Sequence, residues 1–156
     1  MSKTKTVPYE TTLLVRDTCL CLHVQRAARA LARRFDEVLR PAGLTHGQFS
    51  LMMSLNRPAP PAMGEVAELL AMDRTTLTAA LKPLERRGLV TVAVDKQDRR
   101  SRRPALTAEG RALLAAAVPL WKKSHAELDA LLPHKGGALR RDLNALAAHP
   151  FGISSR

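Results

Sequence analysis

The chain has 156 residues, 46% of them hydrophobic and 3% aromatic, with 25 Lys and Arg against 14 Asp and Glu for a formal charge of +11. That length favours one domain with a sizeable core, and the composition excludes a largely disordered chain. No apolar run approaches the roughly 18–20 residues of a membrane span, the first residues hold no signal-like stretch, and two cysteines cannot form a disulfide framework. The expectation is a soluble cytoplasmic protein with no membrane partner, whose positive excess needs a partner or a reason, with polyanions the first candidates.

Residues 11–40 place Leu20, Val24, Ala27, Leu31, Phe35 and Val38 on one stripe, which predicts a single long helix. Arg26, Arg29, Arg33 and Arg40 lie off that stripe, and Pro41-Ala42-Gly43 ends the helix. Thr45-His46-Gly47-Gln48 reads as a capping box opening a second helix to about Leu55. Asn56-Arg57-Pro58-Ala59-Pro60-Pro61 is a stiff connector that cannot be helix interior. A short helix over 63–70 follows. Asp73 caps another, which runs to Arg87 and stops at Gly88, where a left-handed backbone costs little. Residues 89–94 form a strand, 95–101 a polar hairpin tip, and 102–106 the return strand, confined to an edge by Pro104. Thr107 caps a long helix that Pro119 should kink or divide; 133–137 is a break, and 138–148 a final short helix.

The expected fold is therefore mainly α with a small β-hairpin wing: a winged helix-turn-helix carried by a helical dimer. Residues 1–10 would be a flexible N-terminal arm, 11–56 helices for dimerisation and lobe support, 57–106 the winged unit, and 107–156 helices that dimerise. The long flanking helices hold more apolar surface than one such unit can cover, and a homodimer buries it.

On the helix after Asp73, Leu77, Ala80, Leu81 and Leu84 face inward, while Thr75, Thr78, Ala79, Lys82 and Arg86 face out, with Arg74 and Thr76 near its start. Hydroxyls, cations and a methyl group suit base edges and phosphates in a major groove; the plainer reading is a solvated helix face. The tip, Lys96-Gln97-Asp98-Arg99-Arg100-Ser101-Arg102-Arg103, carries five cations and one carboxylate and suits a minor groove, or is simply a solvated basic loop. Asp98 is expected to pair with an arginine and shape the loop. Residues 73–103 hold nine cations against four carboxylates, which concentrates the charge in a footprint for double-stranded DNA. Ser124-His125 are adjacent on a helix and diverge; with no Gly-rich phosphate loop and no His-Glu-x-x-His, no catalytic residue, cofactor or metal site is expected.

Leu44-Thr45-x-x-Gln48-Phe49, Glu65-Val66-Ala67-x-Leu69-Leu70, Leu84-Glu85-x-x-Gly88-Leu89-Val90, Asp98-Arg99-Arg100 and Leu106-Thr107-x-x-Gly110 occur in this order. Together they resemble the MarR family (multiple-antibiotic-resistance regulators) over nearly the whole chain after about residue 10. The resemblance implies a triangular dimer with two winged lobes on a palindromic operator. It matches Asp98 and Arg100 to the family's wing pair and residues 75–82 to its recognition helix. Pro83 departs from a usually polar position, and Arg103-Pro104 from a usually aliphatic return strand.

Leu20-Cys21, 23 positions before Leu44, is similar to the organic-hydroperoxide-sensing branch of that family, although Gln25, Phe35 and His46 stand where the branch has tyrosines. The alternatives for Cys21 are a small packing residue or, with Cys19 and His23, a thin metal site. Two residues apart on one helix, the cysteines would diverge by about 200° and not pair. The other sensing route is a pocket for an aromatic acid lined by Met52, Met53, His23, Arg16, Arg26 and Trp121. The implied protein is a homodimeric repressor released by such a ligand or by a hydroperoxide. Its rivals are a protein-interaction module and a sequence-indifferent DNA architectural protein.

Overall fold

A computed structural model describes residues 6–149. The elements, in chain order, are α1 (Tyr9–Thr18), α2 (Leu20–Leu39), α3 (His46–Ser54), α4 (Met63–Leu69), α5 (Arg74–Arg86), β1 (Val90–Val94), β2 (Arg102–Leu106), α6 (Ala108–Ala130) and α7 (Gly137–Ala148). Short 3₁₀ segments at Arg40–Ala42 and Pro133–Gly136 join α2 to α3 and α6 to α7. Among the described residues no helix is long and apolar enough to cross a membrane.

Local chemistry sets most boundaries. The Thr45 hydroxyl accepts from the Gln48 amide at 3.1 Å while the Gln48 side chain accepts from the Thr45 amide at 3.1 Å, the reciprocal capping box expected at α3. The Asp73 carboxylate accepts from the Thr76 amide at 2.7 Å and opens α5; Gly88, at φ +70°, closes it. The hairpin β1–β2 pairs antiparallel with Val90 opposite Leu106, Val92 opposite Pro104 and Val94 opposite Arg102.

Two expectations about helix continuity are corrected. The stretch 11–40 is not one helix: Cys19 is extended (φ −68°, ψ 105°) and separates α1 from α2. Asp17, Thr18 and Cys19 are all poor helix formers, and Thr18 turns its hydroxyl back to the Leu14 carbonyl at 2.7 Å. No residue of α1 is buried, so no tertiary packing overrides that preference. The N-terminal helix begins at Tyr9, inside the arm expected over 1–10; residues 1–5 of that arm lie outside the described residues. Pro119, by contrast, does not divide α6, which runs unbroken over 23 residues. Pro119 and Ala115, whose carbonyl loses its helical donor, are both exposed, so water can satisfy that oxygen while Leu114 and Ala117 hold the other face in the core.

The core runs from Phe35 and Leu39 of α2 through Phe49 and Met52 of α3 to Leu77, Leu81 and Leu84 of α5, and on to Val90, Leu106 and Leu114. Burying each such side chain contributes about 1.5–3 kcal/mol. Outside it, Tyr9, Leu14 and Val15 of α1, Leu20 of α2 and Leu139 of α7 remain exposed.

The wing joins the body where β2 meets α6. The Thr107 amide donates to the Leu89 carbonyl at 3.1 Å, and the Thr107 hydroxyl donates to the Gly88 carbonyl at 2.7 Å. The same hydroxyl accepts from the Gly110 amide at 3.0 Å. A Cβ on Gly110 would sit 2.1 Å from the Leu89 carbonyl oxygen. Gly110→Ala should therefore destabilise the protein by about 1–3 kcal/mol through overpacking. Urea denaturation would measure this, and an unchanged midpoint would contradict so close an approach.

Candidate nucleic-acid interface and effector cavities

The buried stripe of α5 dictates what its other side shows. With Leu77, Leu81 and Leu84 at 0–2% exposure, Arg74, Thr75, Thr76, Thr78, Ala79, Lys82 and Arg86 are all exposed, as the helical spacing predicts. Local bonds refine what two of them can offer. The Thr76 hydroxyl donates to the Asp73 carboxylate at 2.9 Å and the Thr78 hydroxyl to the Arg74 carbonyl at 2.8 Å, leaving their oxygens as acceptors. Pro83 does not interrupt the helix, and Leu84 beside it is fully buried.

In the wing, Lys96, Asp98, Arg99, Arg100 and Arg102 are all exposed. Arg102 donates to the carbonyls of Arg99 and Ser101 at 3.2 and 3.3 Å, which holds the last turn of the tip. The expected pairing of Asp98 with an arginine side chain is not what forms. Asp98 accepts instead from the backbone amide of Arg100 at 3.0 Å, closing a tight local turn. The carboxylate that pairs with arginine is Asp95, 8% exposed, which meets the Nε of Arg103. Asp95 also accepts from the amides of Gln97 at 2.7 Å and Asp98 at 3.2 Å, and Arg103 donates through Nη1 to the Pro60 carbonyl at 3.0 Å. Sequence reading counted Arg103 among the cations of the tip but gave the pairing role to Asp98 and missed Asp95 as its partner; an aspartate just after β1, opposite an arginine on the return strand, was the available signal.

The proposed sensing residues do not gather in one place. Trp121 of α6 stacks on His125, ring centroids 4.5 Å apart, and lies 6.1 Å from Phe49 of α3. On one side of this ring a cavity of about 470 Å³ is bounded by Met53, Ser54, Val118 and Lys122; on the other, a cavity of about 340 Å³ is bounded by Leu31, Phe35, His46 and His125. Phe49, Ser50 and Trp121 belong to both walls. Of the pocket set expected from sequence, only Met53 and Trp121 are found here. Met52 is wholly buried in the core, and Arg16 pairs with its neighbour Asp17 at 2.6 Å. His23 and Arg26 border an open groove with Arg29 and Arg33 along the outer face of α2, because their helical positions lie opposite the stripe that meets α6. Lys122 went unnoticed in sequence, and His46 and His125 were considered there without being placed in a pocket, although the i, i+4 spacing of Trp121, His125 and Asp129 marks one helix face.

Cys21 is exposed, not a buried packing residue, and Cys19 is half-buried at the α1–α2 break. The premise that both cysteines lie on one helix is thereby corrected, since Cys19 is outside it. Gln25, one turn on, donates to the Cys21 sulfur at 3.0 Å, while His23 bonds the Cys19 carbonyl through Nδ1 at 2.8 Å. Phe35 is buried, and His46 bonds Asp36 through Nδ1 at 2.7 Å. The adjacent pair Ser124 and His125 diverge as expected: Ser124 accepts from Arg34 at 3.1 Å, and His125 faces Asp129 at 3.3 Å.

Asp95 carries an electrostatic signature of its role. The Gln97 amide, then the Arg103 guanidinium, then the Asp98 amide hold its carboxyl below the usual aspartate range. A folded-state pKa below the unfolded one means that the order it supplies is present above the ordinary carboxylate range and lost as pH falls through the lowered value. In an NMR titration, Asp95 should protonate at a lower pH than an ordinary aspartate, with the wing retaining its native shifts at pH 5. A normal titration midpoint would contradict the described contacts.

Comparison with known proteins agrees with this geometry. The MarR family model matches residues 44–101, from the start of the α3 cap to the wing tip. The chain is 35% identical over 97 residues to the transcriptional regulator TtmR of Methylorubrum extorquens, a match covering 62% of this chain and 50% of TtmR. It is 28% identical over 101 residues to the organic hydroperoxide resistance transcriptional regulator of Bacillus subtilis, covering 65% and 69% of the two chains. The chain spans about half the length of the first of these curated relatives. Among solved structures, the M. tuberculosis transcriptional regulator MosR in complex with DNA superposes with a TM-score of 0.74 at 41% identity, covering 83% of this chain and 93% of MosR. With the winged helix-turn-helix geometry, the ordered motifs and a similar solved chain matched over almost its full length, this protein belongs to the MarR family.

Proposed function

We propose that the protein is a homodimeric, sequence-specific DNA-binding transcription repressor, and that it binds ligands and DNA without catalysing a reaction. The observation that carries this reading is the pairing of two cationic surfaces on one rigid unit. The outer face of α5 offers Arg74, Thr75, Ala79, Lys82 and Arg86, and the adjoining wing offers Arg99, Arg100 and Arg102. An α-helix fits a major groove, and arginines on a narrow hairpin fit the minor groove beside it, where negative potential is focused. Residues 57–106 form the DNA-reading unit in this account, and residues 11–56 and 107–156 carry dimerisation. The exposed apolar side chains of α1, α2 and α7 supply the surface that a second copy covers. A twofold axis then sets two half-sites about one helical turn, roughly 34–36 Å, apart on a palindromic operator.

Selection of binding sites from random DNA tests the reading. A palindromic consensus is the expected result; uniform weak binding would favour an architectural protein, and no binding a protein-interaction module. On the selected duplex, log affinity should fall linearly with log salt, by about 0.9 per phosphate neutralised. Arg100→Ala should weaken binding at all sequences. Lys82→Ala should do so too if Lys82 meets phosphate, but should relax preference at one position if it reads a base edge. Unchanged binding by both variants would refute the assigned surface.

The signal that releases DNA is assigned to one of two places. The cavities either side of Trp121 offer aromatic walls with Lys122 on one rim, which suits an aromatic acid. Cys21 is exposed and receives a hydrogen bond from Gln25, a donor able to stabilise a thiolate that attacks the O–O bond of a hydroperoxide, giving a sulfenic acid and an alcohol. Cumene hydroperoxide should release the operator from the native protein and leave Cys21→Ser bound. Equal release of both would exclude Cys21 as the sensor and leave the cavities.

A further inference from the structure

The outer half of the wing has no apolar attachment to the body. Val90, Pro104 and Leu106 are buried at the base of the hairpin, but Ala93 and Val94 are exposed, Val94 by 50%. A two-stranded ribbon of five-residue strands is marginal alone, and nothing hydrophobic fixes its angle beyond Pro104. What does reach across is Arg103, whose guanidinium bonds in two directions. Its Nε meets Asp95 at the end of β1, and its Nη1 donates to the carbonyl of Pro60, 43 positions away in the proline-rich connector between α3 and α4.

We propose that Arg103 is the positioning residue of the wing, clamping the hairpin to the 55–62 connector and thereby setting where Arg100 stands relative to α5. The proposal rests on the DNA-binding reading for its consequence, but the clamp itself does not. The chain of bonds is continuous. Pro60 holds Arg103, and Arg103 holds the Asp95 carboxylate; Asp95 holds the amides of Gln97 and Asp98, and Asp98 holds the amide of Arg100 at 3.0 Å. Only a planar fork with several donors satisfies a carboxylate on one side and a carbonyl on the other; a lysine, a point charge on a flexible stem, reaches one of them. A connector rich in proline is a suitable anchor because its fixed φ angles give the accepting carbonyl a fixed position. Arg103 thus acts through Arg100, with its own bonded donors directed into the protein.

Non-additivity separates this role from direct contact. On the duplex recovered by selection, Arg103→Ala should weaken binding at least roughly tenfold, as Arg100→Ala should, and lower the salt slope by the same amount. In the Arg100→Ala background the second substitution should add less than about twofold, since the side chain that the clamp positions is then gone. Multiplying losses would show that Arg103 touches DNA itself and overturn the proposal; full affinity of Arg103→Ala would overturn it too. Amide hydrogen exchange without DNA gives an independent readout. Arg103→Ala, and Arg103→Lys to a lesser degree, should speed exchange at Gln97 and Asp98 while the global unfolding midpoint stays near that of the native protein. Native protection at those amides would refute the clamp. If the native protein selects no duplex but those amides are still released, the clamp stands and the DNA-binding reading falls.

Discussion

The close seating of α6 on the end of α5 is the constraint from which the rest of the architecture follows. Three elements with different tasks converge at residues 88–89: α5 stops there, β1 starts there, and the first turn of α6 packs onto the same carbonyls through Thr107 and Gly110. Because a side chain larger than hydrogen cannot occupy position 110, the long helix enters at one depth only. That single contact gives α5, the hairpin beside it and the scaffold helix a common origin. A displacement of the scaffold is therefore transmitted to both α5 and the hairpin rather than absorbed in a loop.

Beyond that junction the molecule is organised by where each interaction type is affordable. The half of the wing nearest the body is held by burial of Val90, Pro104 and Leu106, and the half facing solvent by charge and backbone bonds around Asp95. Hydrophobic attachment at the tip would have placed apolar side chains on the surface proposed to meet phosphates. A carboxylate that collects two amides and a guanidinium solves the same mechanical problem with polar atoms. Charge at the opposite end is handled differently: Asp129 gathers Arg140 at 3.0 Å and His125 at 3.3 Å, fastening the start of α7 to α6.

What was legible in the sequence was whatever is decided within four or five residues. The Thr45–Gln48 box, the Asp73 cap, the stop at Gly88 and the bounds of β2 all depend on local hydrogen bonds and backbone preference, and each was readable from residue type and spacing. The outward face of α5 was equally clear, since three buried leucines fix the rotation of the helix. The break at Cys19 was hidden because the apolar stripe of α2 can be extended backward on paper, whereas α1 has no core to hold it in line. The division expected at Pro119 fails for the converse reason: the rule for an isolated helix omits the packing of Leu114 and Ala117 that keeps this one continuous. Partners far apart in the chain, such as Arg103 with Pro60 or Trp121 with Phe49, have no local signature. They became visible only once the connector and α6 were placed in space. The scattering of the expected sensor residues has the same origin, since His23 and Arg26 share a helix with Phe35 but point to the opposite side of it.

Trp121 has a further consequence. It is the only tryptophan in the chain, and its indole forms the partition between the two cavities while resting on an imidazole. Intrinsic fluorescence from this protein therefore has a single indole emitter, already placed where a guest would have to touch it. Its emission wavelength and quenching can report directly on occupancy and on protonation of the neighbouring ring, with no extrinsic dye.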